Sequence, residues 1–359
     1  MSQIFTYRQA FTLESGKTIN GFQLAYTTAG LLNERKDNVV WIFHALTANS
    51  DPTDWWHGLV GSNTFFDPKD YFIVCVNMPG SCYGSISALD TNPATGTPWY
   101  QDFPLFTTRD MVRAYAHLKK SLGIEQIAIG IGGSMGGQQL LEWAVEEPLL
   151  FRNIIPIATN AQHSPWGIAF NTSQRMCIEN DPTWQLKLPE AGIEGMKVAR
   201  TVALLSYRNY YTYHHSQAGI TETSADKPVD EQVFRASTYQ QYQGEKLAKR
   251  FNAFSYYYLS QAMDKHHLGR GRGSVEAALQ RIKARTLVIG ISSDILFPPE
   301  EQQFLAQHIP GAQISIIDSH YGHDGFLLEY DIITRLIKNF LSQPVKNSIT
   351  QQTTIINNL

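Results

Sequence analysis

Residues 126–137 read Gln-Ile-Ala-Ile-Gly-Ile-Gly-Gly-Ser-Met-Gly-Gly. A β-branched run enters a cluster of glycines around one serine and leaves through Gln138 to Ala144 at helical spacing, so a strand turns sharply into a helix with Ser134 at the bend. Gly132 and Gly136, two residues to either side, meet the demand of such a crowded turn for small residues. The bend lifts the serine hydroxyl clear of the sheet edge, and the helix start offers the Met135 N–H to an oxygen that becomes negative. Other glycine-rich loops fit poorly. A Walker loop needs Lys-Ser or Lys-Thr where Gln138 stands, and a dinucleotide fingerprint needs a glycine at Met135.

The flanking sequence predicts an α/β chain. Alternation from Phe11 to Tyr26 around Glu14-Ser15-Gly16-Lys17 reads as a β-hairpin. Val39–Phe43 and Tyr71–Val76 are continuous apolar runs, as in strands covered on both faces of a mostly parallel sheet. A helix from Arg109 to Leu122 ends at Gly123, and a strand covers Asn153 to Ile157. The next comparable run is Thr286–Ile291, followed by Gln313–Ile317 and a closing helix from Gly325 to Leu341. The long interval between these strands is rich in tyrosine and helix formers, with helical spacing over Gly192–Tyr207 and Glu231–Met263. The expected organisation is a core of residues 1–160 and 282–342, a helical cap inserted at 161–281 over the C-terminal sheet edge, and a polar, disordered tail at 343–359.

Twenty-nine basic and 32 acidic residues give a formal charge of −3, so no overall field draws the chain to nucleic acid or an anionic membrane; a small-molecule substrate is favoured. Gly269-Arg-Gly-Arg-Gly273 reads as a solvated basic turn. Cys75, Cys82 and Cys177 are too few and scattered for a disulfide framework. With no leader-like N-terminus and no apolar window of membrane-spanning length, the expectation is a soluble cytoplasmic protein.

A serine hydroxyl needs a base, and the base needs a group to fix its tautomer. Asp294 follows the strand ending at Ile291, and His320 and His323 follow the strand ending at Ile317, so the chain order is Ser, Asp, His at strand C-terminal ends. The His-x-x-His spacing also admits a metal, but no third ligand cluster accompanies it. Gly322 gives the loop room to turn the following ring inward, which assigns the base to His323 and leaves His320 a structural neighbour. His44 is open between a structural and a functional role, while His57, His214, His215, His266 and His267 read as surface or packing residues.

His44-Ala-Leu-Thr, Asn77-Met-Pro-Gly-Ser-Cys-Tyr-Gly-Ser, Gly132-Gly-Ser-Met-Gly-Gly, Gln174-Arg175, Ser206-Tyr-Arg, Gln241-Tyr-Gln-Gly-Glu, Ser293-Asp-Ile-Leu-Phe-Pro-Pro and Gly322-His-Asp-Gly-Phe-Leu together resemble homoserine O-acetyltransferases from about Phe11 to Phe340. The resemblance implies an α/β-hydrolase fold with a helical cap and a cytoplasmic homodimer formed through that cap. It also implies acetyl transfer from acetyl-CoA, a co-substrate rather than a bound cofactor, to homoserine in methionine biosynthesis. By the same resemblance Ser134 is the nucleophile, His323 the base, Asp294 its orienter, and Leu46 and Met135 the oxyanion donors. Arg175 would bind the homoserine carboxylate and Asp324 its ammonium. Succinyl-CoA as donor and serine as acceptor are the alternatives within the family, and a carboxylesterase is the rival outside it.

Overall fold

The computed structural model describes residues 2–344. Eight strands form one sheet: β1 (Gln3–Thr12), β2 (Thr18–Ala29), β3 (Val39–Phe43), β4 (Phe72–Val76), β5 (Ile127–Gly133), β6 (Phe151–Ile157), β7 (Arg285–Ile291) and β8 (Gln313–Ile317). Their spatial order is β1-β2-β4-β3-β5-β6-β7-β8. The β1–β2 hairpin and the β2–β4 pair are antiparallel, whereas every pairing from β4 onward through β3 to β8 is parallel.

Helices α1 (Pro52–Trp55), α2 (Thr108–Ser121) and α3 (Met135–Glu146) precede β6. Between β6 and β7 lie α4 (Pro165–Glu179), α5 (Ile193–Tyr207), α6 (Tyr210–Ser216), α7 (Arg235–Ala248), α8 (Ala253–Asp264) and α9 (Val275–Leu279). Three more follow: α10 (Pro299–His308), α11 (Gly325–Leu328) and α12 (Tyr330–Ser342). The tail expected at 343–359 lies, apart from its first two residues, outside the described residues.

Alternation along β3 divides the interior between two layers. Val39, Trp41 and Phe43 face a cluster with Tyr115 of α2 and Trp143 of α3, while Val40 and Ile42 face Ile333, Ile337 and Phe340 of α12. Trp41 and Trp143 meet edge to face with centroids 4.9 Å apart. Full burial of each large side chain is worth about 2–3 kcal/mol in transfer free energy, which fixes the register of the central strands. The start of α2 is held by a capping box in which the Thr107 and Asp110 side chains bond each other's backbone N–H.

Two helical expectations change in detail. The run Glu231–Met263 is two helices, because Asn252 caps α8 by accepting from the N–H groups of Phe254 and Ser255. The closing run divides at Glu329 into α11 and α12.

The Gly269–Gly273 turn departs further, for both its arginines are paired with carboxylates. The Arg272 side chain is 6% exposed and contacts Glu142 at 2.5 Å and Glu146 at 2.6 Å, while Arg270 reaches Glu14 at 2.8 Å. Arg109 adds bonds of 2.8 Å to Glu14 and to Glu142. Because Glu142 is 2% exposed, its charge requires those guanidinium partners, and the network ties the stretch after α8 to α2 and α3.

Candidate active site

Strand β5 delivers Ser134 at φ 57°, ψ −129°, a strained conformation for a residue with a side chain. Its surroundings hold it there. Ser134 N–H donates to the Ile157 carbonyl, and its own carbonyl accepts from Gly137 N–H at 2.9 Å and the Thr159 hydroxyl at 2.8 Å. A Cβ on Gly132 would lie 2.6 Å from the Gly136 carbonyl, so the two flanking glycines are required by the closeness of their backbones. Ser134 sits at the N-cap of α3, yet its hydroxyl makes no capping bond.

His323 donates from Nδ1 to Asp294 Oδ2 at 2.6 Å; an ionised carboxylate only accepts, so this bond leaves Nε2 as the acceptor of the neutral ring. The other Asp294 oxygen accepts from the N–H groups of Leu296 and Phe297 at 2.8 and 2.9 Å. Phe297 stacks on the imidazole at 5.1 Å, with Phe326 at 5.2 Å on another side. Gly322 has φ 63°, and a Cβ there would sit 2.9 Å from the Tyr207 carbonyl, so the turn before His323 is open only to glycine. Ser293, which the sequence left without a role, joins the two loops: its hydroxyl donates to the Ser319 carbonyl at 2.5 Å and accepts from Gly322 N–H at 3.1 Å.

Ser134 and His323, 5% and 3% exposed, lie in a cavity of about 430 Å³ whose walls include Leu46, Tyr207, Asp324, Arg200, Lys246 and Arg250. Helices α5 and α7 thus cover the C-terminal ends of the strands. Among the described residues the N–H groups of Leu46 and Met135 have no backbone carbonyl partner, which leaves both free to bond an oxygen atom.

The Leu46 turn is fixed by His44 and Arg250. His44 donates from Nδ1 to the Ala45 carbonyl at 2.9 Å and accepts the Met78 N–H on Nε2 at 3.1 Å. Burial depresses its basicity to about 4, so a neutral ring holds the turn and its role is structural. Arg250 Nη1 donates to the Thr47 carbonyl at 2.5 Å and the Tyr83 hydroxyl at 2.8 Å.

Arg175 is elsewhere. It is paired with Asp264 at 2.5 Å, donates to Ser260 and Thr172, and is not among the cavity walls, so it braces α4 against α8. The cavity's arginines are Arg250 and Arg200 of α5; the Arg200 guanidinium lies 5.3 Å from the Tyr207 ring, and among the described residues its buried Nε has no hydrogen-bond partner. Arg200 and Tyr207 are seven residues apart on one helix and so share a face, a spacing the sequence contained. Asp324 does line the cavity, where it pairs with Arg208 at 2.8 Å. His320 is exposed, and among the described residues no group of three or more His, Cys, Asp and Glu side chains could hold a metal.

A mostly parallel sheet whose strand ends carry an elbow serine, an aspartate and a histidine in that order is an α/β-hydrolase, and the family model for the alpha/beta hydrolase fold matches residues 38–330. Over 338 residues the chain is 48% identical to a homoserine O-acetyltransferase of Cyclobacterium marinum, covering 94% of each. Among solved structures, a homoserine O-acetyltransferase from Bacillus anthracis superposes with a TM-score of 0.86 at 24% identity, covering 96% of this chain and 98% of that one. Esterase E22 shares the fold at a TM-score of 0.83 and 22% identity, covering 95% and 99%. The chain belongs to the homoserine O-acetyltransferase family.

Proposed function

We propose that this protein moves an acetyl group from acetyl-CoA to the hydroxyl of L-homoserine in methionine biosynthesis, through an acetyl-Ser134 intermediate. The observation that carries the reading is the meeting of Ser134 and His323 with Arg200 and Asp324 in one cavity. An amino-acid acceptor brings one anion and one cation, and a guanidinium with a carboxylate beside the nucleophile reads both; an ester pocket needs neither.

In the first half-reaction His323 Nε2 takes the Ser134 proton, Oγ attacks the thioester carbonyl, and the tetrahedral oxyanion is held by the Leu46 and Met135 N–H groups. Collapse breaks the C–S bond, and the thiol leaves with the proton from His323. In the second half, His323 takes the homoserine hydroxyl proton, the alkoxide oxygen attacks acetyl-Ser134, and Ser134 recovers its proton as the ester departs. Asp294 stabilises the imidazolium in both halves. The near-complete burial of Ser134 and His323 keeps water from competing with the acceptor.

Exposed apolar side chains on the cap, including Val198, Leu205, Tyr210, Tyr211 and Phe234, support a homodimer through that face. The free cysteines are consistent with work in a reducing cytoplasm, and no described helix is long and apolar enough to cross a membrane.

Intact-protein mass after mixing with acetyl-CoA, then again after adding homoserine, tests the reading. The expected result is an acetyl adduct absent from Ser134→Ala and discharged by homoserine. Discharge by water alone would make the protein a hydrolase, and an adduct from succinyl-CoA alone or discharge by serine would move it to a sister activity.

A further inference from the structure

Charge is graded with depth along the cavity. Ser134 and His323 are buried at its floor, Arg200 is half-buried, and Lys246 and Arg250 are exposed. A second hollow of about 200 Å³ adjoins the first and shares Arg200, Lys246 and Arg250 with it; the remaining walls are Arg208, Gln243 and Leu247. Four cations and no carboxylate line that hollow.

Their acids are scarce or committed elsewhere. Asp324 is taken by Arg208, and Glu245, beside Lys246, is engaged by Lys197 at 3.0 Å. Asp54, the other acid of the larger cavity, accepts from Asn49 at 3.2 Å. Among the described residues Arg200, Lys246 and Arg250 enter no ion pair, and the Nε atoms of Arg200 and Arg208 are buried without hydrogen-bond partners. In a chain of net charge −3 this is a local positive field, with Asp54 of the larger cavity, held by the neutral Asn49 amide, the one lining acid outside an ion pair.

One amino-acid carboxylate is satisfied by one guanidinium, and Arg200 is the deeper candidate. Lys246 and Arg250 are then in excess, and they are the exposed cations of the cavity, on the side from which a long donor enters. We infer that Lys246, with Arg250 beside it, binds the phosphate groups of the CoA nucleotide and so selects a phosphorylated thioester over a short one. This rests on the acetyl-CoA reading above. Arg250 also holds the Thr47 carbonyl, so Lys246, an exposed point charge free of structural bonds, is the residue that isolates the effect.

The test compares acetyl-CoA with S-acetylpantetheine, the phosphate-free thioester, at saturating homoserine. The ratio of their kcat/KM values is measured in the wild type, Lys246→Glu and Lys246→Arg. The ratio is expected to fall about tenfold in Lys246→Glu, to persist in Lys246→Arg, and to shrink in the wild type as salt rises. A ratio identical in all three proteins overturns the inference. So does a Lys246→Glu protein whose only change is a higher KM for homoserine, because the anion bound there would be the acceptor carboxylate. Failure of the underlying reading is seen separately, as a wild type that acetyl-CoA does not acylate.

Discussion

Asp324 pairs with Arg208 at 2.8 Å while lining the cavity immediately after His323. On the proposed acceptor pose, an incoming ammonium would share a carboxylate that is already oriented by a guanidinium. Loss of a hydrogen bond to a charged group costs about 2 kcal/mol, or roughly thirtyfold in binding. Asp324→Asn is expected to raise the KM for homoserine by that order while acetyl-Ser134 still forms from acetyl-CoA. A homoserine KM equal to that of the wild type, measured by steady-state kinetics, would remove Asp324 from acceptor binding.

The two arginines separate by their readouts. Arg200→Gln removes a charge from the cavity and is expected to weaken homoserine binding about tenfold or more with little change in thermal midpoint. Arg175→Gln instead strands Asp264, whose carboxyl burial already pushes toward the neutral form, and is expected to destabilise the fold by about 3 kcal/mol. Thermal melts and homoserine titrations of both variants decide the assignment; a selective acceptor defect in Arg175→Gln with an unchanged melt would return that role to it.

Gly136 packs against the Phe43 carbonyl, where a methyl group has no space because strand β3 and the start of α3 are in backbone contact. Gly136→Ala is expected to cost several kcal/mol and to abolish acylation, since relief requires moving the same turn that presents Ser134. Urea unfolding and intact mass would show it. A variant that acylates at the wild-type rate would mean the elbow has slack that the packing does not reveal.

Burial lowers the basicity of His44 and His163 to about 4 and of His266 to about 3. The folded chain keeps these rings neutral, while the unfolded chain protonates them near pH 6.5, so stability falls as pH drops from about 6.5 towards 4. Glu301 acts with the opposite sign: burial raises it to about 8, so the folded state holds a proton that the unfolded state has released above about pH 4.5. The net expectation near pH 5.5 is uptake of about two protons on unfolding, visible as a lower urea midpoint at pH 5 than at pH 7. Equal midpoints would contradict it. Glu301→Gln should in addition gain stability over the wild type as pH rises from about 4.5 to about 8.

The sheet was legible because its strands are continuous apolar runs with turn residues at their ends, and the Asp294 to His323 bond follows from two loops that leave neighbouring strands. Arg200 was not, because which face of α5 meets the cavity is set by how α5 packs on α4 and α7, and Gln174-Arg175 offered an arginine with no visible partner until Asp264 folded against it. The basic turn at 269–273 was misleading for a related reason. Arg270 and Arg272 find their carboxylates more than a hundred residues earlier in sequence, at Glu14, Glu142 and Glu146. Local composition cannot report such long-range ion pairs.

Glu142 belongs to the helix that begins directly after Ser134, and Arg272 and Arg109 both hold it. For the roof to swing away at that seam, thermal agitation must strip guanidinium groups from a carboxylate that water does not reach. The seam therefore acts as an anchor beside the helix that Ser134 opens, and any movement of the roof has to come from segments beyond it.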